Sequence, residues 1–413
     1  MRKIILILVI VVPCSIYSQW ITLTSGTSQN LSAVQFLDAQ TGYSAGAGGT
    51  VIKTTNGGNN WTTLNTGSSV ELRGVHFFNP STGLVCGYSG TILRTTDGGG
   101  NWATVTSGTT DHLFDISFYD NNNGVCSGNT GTILYTTNGG ANWQTGQPTG
   151  YLVTFYSAFM VNASTGYCAG VNTIFSPLVA KSTDNGASWV YSSFLLNSNE
   201  GTLRGIHFFD TQNGIAVSNL WNGQGGISRT ANGGVNWTTQ IFSLGLYGVD
   251  FPSPSIGYTV GLNGTILKST DSGSNWTPQM SGTTVFLASV NFVDSVTGYA
   301  CGDAGTILKT TNGGITSVSG NQNQTPHGFY LFQNYPNPFN PKSKIKFQVS
   351  KLSDVKLVIF DVPGREIDVL INEQLSPGAY EVEWNGFNCT SGVYFYKLTA
   401  GFYSETRKMI LLK

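Results

Sequence analysis

The chain has 413 residues, a net charge of −1, 10% charged and 12% aromatic residues, and 53 glycines. That length suits two or more domains, and the near-neutral balance gives no reason to expect nucleic acid as a partner. Few charges beside many Gly, Thr, Ser and Asn exclude a helical bundle and point to short strands and turns.

The N-terminus reads as a signal peptide over residues 1–18. Arg2-Lys3 is a basic start, Ile4 to Val12 is apolar, and cleavage after Ser18 leaves Gln19 first. Nine apolar residues are too few to cross a membrane as a helix. Cys14 suggests a lipoprotein, but Pro13 before it fits that cleavage poorly.

From residue 19 to 314 one turn motif recurs. It first reads Thr54-Thr55-Asn56-Gly57-Gly58-Asn59-Asn60-Trp61, of pattern [S/T]-x-[D/N]-x-G-x-x-W. It returns ending at Trp102, Trp143, Trp189, Trp237 and Trp276, at spacings of 41, 41, 46, 48 and 39 residues. A seventh copy, Thr310 to Gly314, lacks the Trp. Asn or Asp can bond its own backbone in such a turn, and Gly supplies a positive φ. A period of this size means one supersecondary unit repeated.

Each unit predicts four antiparallel strands. The first is L-x-x-V-x-F, at Leu31–Phe36, Leu72–Phe77, Leu113–Phe118, Leu203–Phe208, Leu246–Phe251 and Leu287–Phe292. A degenerate fourth copy is Thr154–Phe159. A short Gly-led strand follows, then T-I-L-K-T-T, then a strand opened by Trp. Four strands per unit and seven units predict an all-β, seven-bladed β-propeller. Trp20-Ile21-Thr22-Leu23 matches the Trp-led strand that the seventh unit lacks. The N-terminal strand is therefore expected to close blade seven and leave no free edge at the seam.

The repeat resembles the Asp-box, or BNR, repeat of sialidase-type propellers. Its fuller form, G-T-I-L-K-T-T-[N/D]-G-G-x-N-W, is similar to the photosystem II assembly-factor propellers. The box is a folding device and names no ligand.

Blades four and five depart from the period. Val171 to Pro177 and Asn219 to Gly226 are each expected as loops four residues longer than their counterparts, and the loop around Leu196 to Gly201 as three longer. In sialidase-like propellers the box turns lie away from the functional face. The opposite face would then display Phe175, Trp221, Glu200 and Arg204, which are the expected ligand-binding residues.

Residues 315–327 are polar and aperiodic and read as a linker. Residues 328–413 hold 10 of the 20 Lys and Arg and alternate like strands of a small sandwich. N-Y-P-N-P-F-N-P from Asn334, Phe360-Asp361 with Gly364-Arg365, Ser391-Gly392-Val393-Tyr394, and Lys408 to Lys413 resemble the type A C-terminal sorting domain of the type IX, or Por, secretion system. That resemblance implies the type IX machinery as a partner and a surface or secreted location in a Gram-negative bacterium, after removal of leader and tail.

A sialidase reading needs an arginine triad, but the propeller has only Arg73, Arg94, Arg204 and Arg229. Arg94 and Arg229 align with Lys53, Lys268 and Lys309 as repeat-surface cations. Glu71 and Glu200, at matching places ahead of Arg73 and Arg204, are its only glutamates and read as solvated ion pairs. His76 and His207 match each other and form no metal site. Cys86, Cys126, Cys168, Cys301 and Cys389 show no metal-ligand spacing and read as free thiols, since like positions in neighbouring blades lie too far apart to bridge. No D-x-D-x-D loop is present, so neither metal nor cofactor is expected. The expected function is a non-catalytic binding or scaffold module for an extracellular protein or glycan. The alternative is a sialidase- or xyloglucanase-like hydrolase, for which a carboxylate pair must face one cavity.

Overall fold

A computed structural model describes residues 20–146, 153–194, 196, 200–314 and 329–413. The leader expected at 1–18 and the linker expected at 315–327 lie outside the described residues. The rest divides into two compact units, one built from the repeats and one from the C-terminal stretch.

The repeats form seven four-stranded antiparallel sheets, the blades of a propeller. Blade one runs Leu31–Phe36, Gly42–Gly46, Val51–Thr54 and Thr62–Leu64. Blade seven takes its fourth strand from the N-terminus. Ile21–Leu23 pairs antiparallel with Ile307–Thr310, with Ile21 opposite Lys309 and Leu23 opposite Ile307. Trp20 ahead of it is fully buried, edge-on to Tyr258 and Phe292 at 6.3 and 5.6 Å between ring centres.

The box turns explain their own composition. The Thr54 hydroxyl donates to Asn56 Oδ1 and accepts from the Gly58 amide, both at 3.0 Å. Asn56 Oδ1 also accepts from the Asn60 amide at 2.9 Å. Gly57 and Gly58 hold φ of +67° and +87°, the region that favours glycine. A Cβ on Gly58 would come within 2.4 Å of Leu23 Cδ1, so this glycine lets the closing strand approach blade one.

Successive blades are joined by contacts between positions about 40 residues apart in sequence. The second-strand Tyr stacks flat on the first-strand Phe of the next blade, as in Tyr43–Phe77 at 3.5 Å and Tyr299–Phe36 at 3.4 Å. The third-strand Lys reaches the next blade's box. Lys309 Nζ donates to the Gly57 carbonyl at 2.8 Å and Lys268 Nζ to the Gly313 carbonyl at 2.6 Å. Lys309 also lies 5.4 Å from the centre of the Tyr299 ring. These cations are therefore inter-blade ties, not the free surface charges the alignment suggested. Burial lowers the pKa of both lysines.

The second residue from the end of each first strand faces the next blade. Gln35 bonds both the amide and the carbonyl of Phe77. Asp250 accepts from the Phe292 amide at 2.7 Å and Asn291 from the Phe36 amide at 2.8 Å. His76 and His207 hold this position in blades two and five. Blade four's first strand is Val153–Met160, and Phe155, Ala158 and Met160 take the buried Leu, Val and Phe places. The sequence reading of that strand was one residue out of register, which in a strand exchanges the two faces.

The C-terminal unit is a sandwich of two sheets. Tyr330–Leu331, Lys342–Val349 and Gly378–Asn385 form one, and Glu366–Leu375, Ser353–Phe360, Gly392–Ala400 and Tyr403–Leu411 the other, in those spatial orders. Ile345, Phe347, Leu357, Ile359, Trp384 and Leu398 fill the space between them. The Asn-Pro-rich run earns its place through Asn334, which is buried. Its Nδ2 donates to Ser343 Oγ at 2.8 Å, and its amide donates to the Tyr396 hydroxyl at 2.8 Å.

Candidate ligand-binding face

Antiparallel strand order places the box turns at one end of every blade. The turns between second and third strands, and the segments leading into each first strand, share the opposite end. On that face every first strand carries an irregularity in its pairing, between Leu72 and Gly74 in blade two and between Leu203 and Gly205 in blade five, for example. A bulge re-aims the extra side chain. Here it turns one residue per blade into the central channel.

The seven bulged residues line a single cavity of about 530 Å³. They are Arg73 and Arg204, the aromatic residues Phe114, Tyr156 and Tyr247, and the small residues Ser32 and Ala288. The small pair belongs to blades one and seven, on either side of the ring seam. The cue in the sequence was the first x of L-x-x-V-x-F, which is Arg or aromatic in five blades once blade four is set in register.

The two arginines converge on this cavity, although along the chain they looked scattered. Their surroundings differ. Arg73 Nη1 is 2.8 Å from Glu71 Oε1. Arg204 sits 4.1 Å from the centre of the Tyr156 ring and 5.2 Å from that of Tyr247. It has no carboxylate partner among the described residues, although the buried Nε of both arginines lacks a hydrogen-bond partner there. Asp115, in the cavity wall, accepts from the Ile116 amide, the Ala158 amide and the Ser157 hydroxyl at 2.8, 2.9 and 3.1 Å. Burial raises its pKa, and the nearby Arg73 opposes that.

Glu200 is not the counterpart of Glu71. Glu71 stands two residues before its arginine and Glu200 four before, because blade five's first strand begins earlier, at Gly201. Glu200 is exposed, does not line the cavity, and contributes its carbonyl to the Trp221 amide at 3.4 Å. Glu71 and Glu200 are therefore not brought together, whereas Glu71, Asp115 and Asp303 all line the cavity.

The extra residues of blades four and five lengthen strands, not loops. Gly166–Asn172 with Pro177–Ser182, and Gly214–Leu220 with Gly225–Thr230, are hairpins joined by turns of four residues, the same length as in the other blades. The two hairpins project past the rim. At their tips Phe175 and Trp221 meet edge to face, 4.8 Å between centres and 77° between planes. They remain 49% and 61% exposed, and the neighbouring Ile174 is 72% exposed. So Phe175 and Trp221 form one feature and Arg204 belongs to the channel.

Phe175 holds φ of +60°. It fills the third turn position, which is glycine in the other six blades: Gly49, Gly90, Gly131, Gly223, Gly264 and Gly305. Asn172 Oδ1 fixes this turn by accepting from the Ile174 and Ser176 amides at 3.1 and 2.9 Å. A large side chain in the left-handed region costs on the order of 1 kcal/mol relative to glycine.

The matched histidines are packing elements. His76 contacts Phe78 and Phe118, and His207 contacts Phe159. Burial lowers their pKa values to about 4 and about 3. Asp250, 3.6 Å from His207, is pushed up to about 6 by burial. Each histidine takes up its proton in the unfolded chain first, so stability is lost as pH falls below 6.5. Asp250 works in the other direction between pH 6 and its unfolded value. Asp115, which burial also raises, works with Asp250 against the histidines. In thermal melts from pH 7 to 4.5, His76→Gln is expected to lose less stability than the wild type as pH falls. An unchanged slope in that variant would show that His76 is not buried and neutral.

These features define a seven-bladed Asp-box propeller joined to a small β-sandwich. The propeller matches the family described as photosynthesis system II assembly factor YCF48 over residues 12–110 and 101–245, and the chain belongs to that family. Residues 333–412 match the secretion system C-terminal sorting domain. No curated protein matches the chain. Among solved structures, a YCF48 bound to a D1 peptide is 20% identical with a TM-score of 0.59, covering 73% of this chain and 97% of that one. YCF48 from Cyanidioschyzon merolae is 19% identical with a TM-score of 0.55, over 70% and 98%. PorZ, a surface component of the type IX secretion system of Porphyromonas gingivalis, is 15% identical with a TM-score of 0.51, over 92% of this chain and 59% of that one. The sorting domain marks the protein for export by the type IX system to the cell surface or beyond. No helix among the described residues is long and apolar enough to cross a membrane.

Proposed function

We propose that the exported propeller is a non-catalytic binding module that grips a protein partner on the channel face, across blades four and five. The observation that carries this reading is Phe175, a strained and exposed aromatic at the turn position where six blades have glycine. Strain of this kind persists where function holds it. The edge-to-face meeting of Phe175 with Trp221 makes a wedge, which suits an apolar side chain of a protein better than the flat face of a sugar. Arg204, with no carboxylate partner among the described residues, supplies a cation within the channel for an acidic group of the same partner. The peptide held by a YCF48 propeller supports this class of ligand. A non-catalytic reading is supported by the carboxylates of the cavity. Glu71 is held by Arg73 and both oxygens of Asp115 already accept hydrogen bonds, which leaves Asp303 as the third carboxylate of the lining.

Two substitutions test the proposal against a pull-down of surface proteins and a glycan array, using the mature chain without its tail. Phe175→Gly is expected to raise the melting temperature by about 2–4 °C while weakening capture. Trp221→Ala is expected to abolish capture of the protein partner with melting changed by less than about 2 °C. A partner retained by both variants places the site elsewhere, and unfolding of the Trp221 variant would make that ring a core residue. Retention of a glycan with turnover would favour the hydrolase reading.

A further inference from the structure

We propose that the outer edge of the Glu366–Leu375 strand is where the export machinery adds a basic, extended segment of its own to the sorting domain. This strand is the longest in the tail, at 10 residues, and among the described residues it pairs on one side only, with Ser353–Phe360. Unpaired edge strands invite further strands, and proteins usually cover or blunt them. The tail does so at its other edges. At the far edge of the same sheet, the Phe339 amide donates to the Ile410 carbonyl and the Leu412 amide to the Phe339 carbonyl, at 3.0 and 2.9 Å. In the smaller sheet one edge strand is only Tyr330–Leu331. The other, Gly378–Asn385, has Glu383 and Glu381 neutralised by Lys342 and Lys344, each at 2.7 Å.

Glu366–Leu375 is different. It carries Glu366, Asp368 and Glu373 and no Lys or Arg. Glu366 faces Lys356 at 3.5 Å, whereas Asp368 and Glu373 have no cation within ion-pair reach among the described residues. Ile367 and Val369 on the same strand stay 41% and 40% exposed. Uncompensated acids on an open edge repel a second copy of that edge and favour a strand bearing Lys or Arg. Residues 315–328 contain no Lys or Arg, so the linker cannot supply such a strand. The added backbone bonds would give affinity and the charges would give selectivity.

The test uses the full chain in a host with a type IX system. Asp368→Lys with Glu373→Lys is expected to reduce export at least tenfold and leave uncleaved protein in the periplasm, with the tail still protease-resistant. Asp368→Asn with Glu373→Gln, which alters no bulk, is expected to reduce export severalfold. Glu381→Gln with Glu383→Gln, on the compensated edge, is expected to leave export unchanged. Normal export of the charge-reversed protein overturns the proposal, as does equal loss in the Glu381/Glu383 variant. If the charge-reversed tail becomes protease-sensitive, the neutral variant decides, and its normal export also overturns it.

Discussion

Deletion of residues 19–26 is expected to lower the melting temperature by roughly 10 °C or more and to expose the seam between blades seven and one. The deletion removes Trp20, fully buried against Tyr258 and Phe292, and the strand that pairs with Ile307–Thr310. Truncating a buried Trp alone costs about 3–5 kcal/mol. The exposed edge of Ile307–Thr310 would also invite association between molecules. The side-chain substitution Trp20→Ala, which leaves the strand in place, is expected to account for part of the loss. Calorimetry of wild type, deletion and substitution separates packing from pairing. If the deletion melts with wild type and stays monomeric, the N-terminal strand does not close the ring.

Truncation after residue 314 is expected to abolish export while leaving the propeller folded. The repeats form their own compact unit, with cores built from adjacent blades, so their folding is expected to proceed without the tail. The truncated chain is expected in the periplasm, with the melting curve of the full-length propeller and little or no protein outside the cell. The complementary measurement places the full chain in a host without a type IX system, where it should also stay inside the outer membrane. Normal secretion in either case would mean that residues 329–413 do not direct export. Failure of the truncated propeller to fold would show instead that the two units depend on each other.

Local chemistry determined much of this protein along the chain itself. The box turns are legible because Thr54, Asn56 and Gly58 bond one another within a few residues, with Gly57 at a positive φ between them. Blade count and ring closure followed from the same repetition, and the tail from a contiguous run around Asn334. Tertiary structure decided what lies between blades. Which way Arg73 and Arg204 point depends on a bulge in cross-strand register, and no single strand shows that. Their convergence needs a ring, since blades two and five are not neighbours. Lys309 meets Gly57 from 252 residues away. Glu200 fell out of register with Glu71 because extra residues in blade five extended a hairpin instead of a loop, a choice made by pairing with the neighbouring strand. Phe175 was visible as an aromatic in an extra segment. That it occupies a glycine's backbone conformation became clear only when seven turns were superposed by their pairing. Short-range hydrogen bonds write themselves into adjacent residues, whereas register and burial belong to pairs of strands, and the sequence holds only one strand at a time.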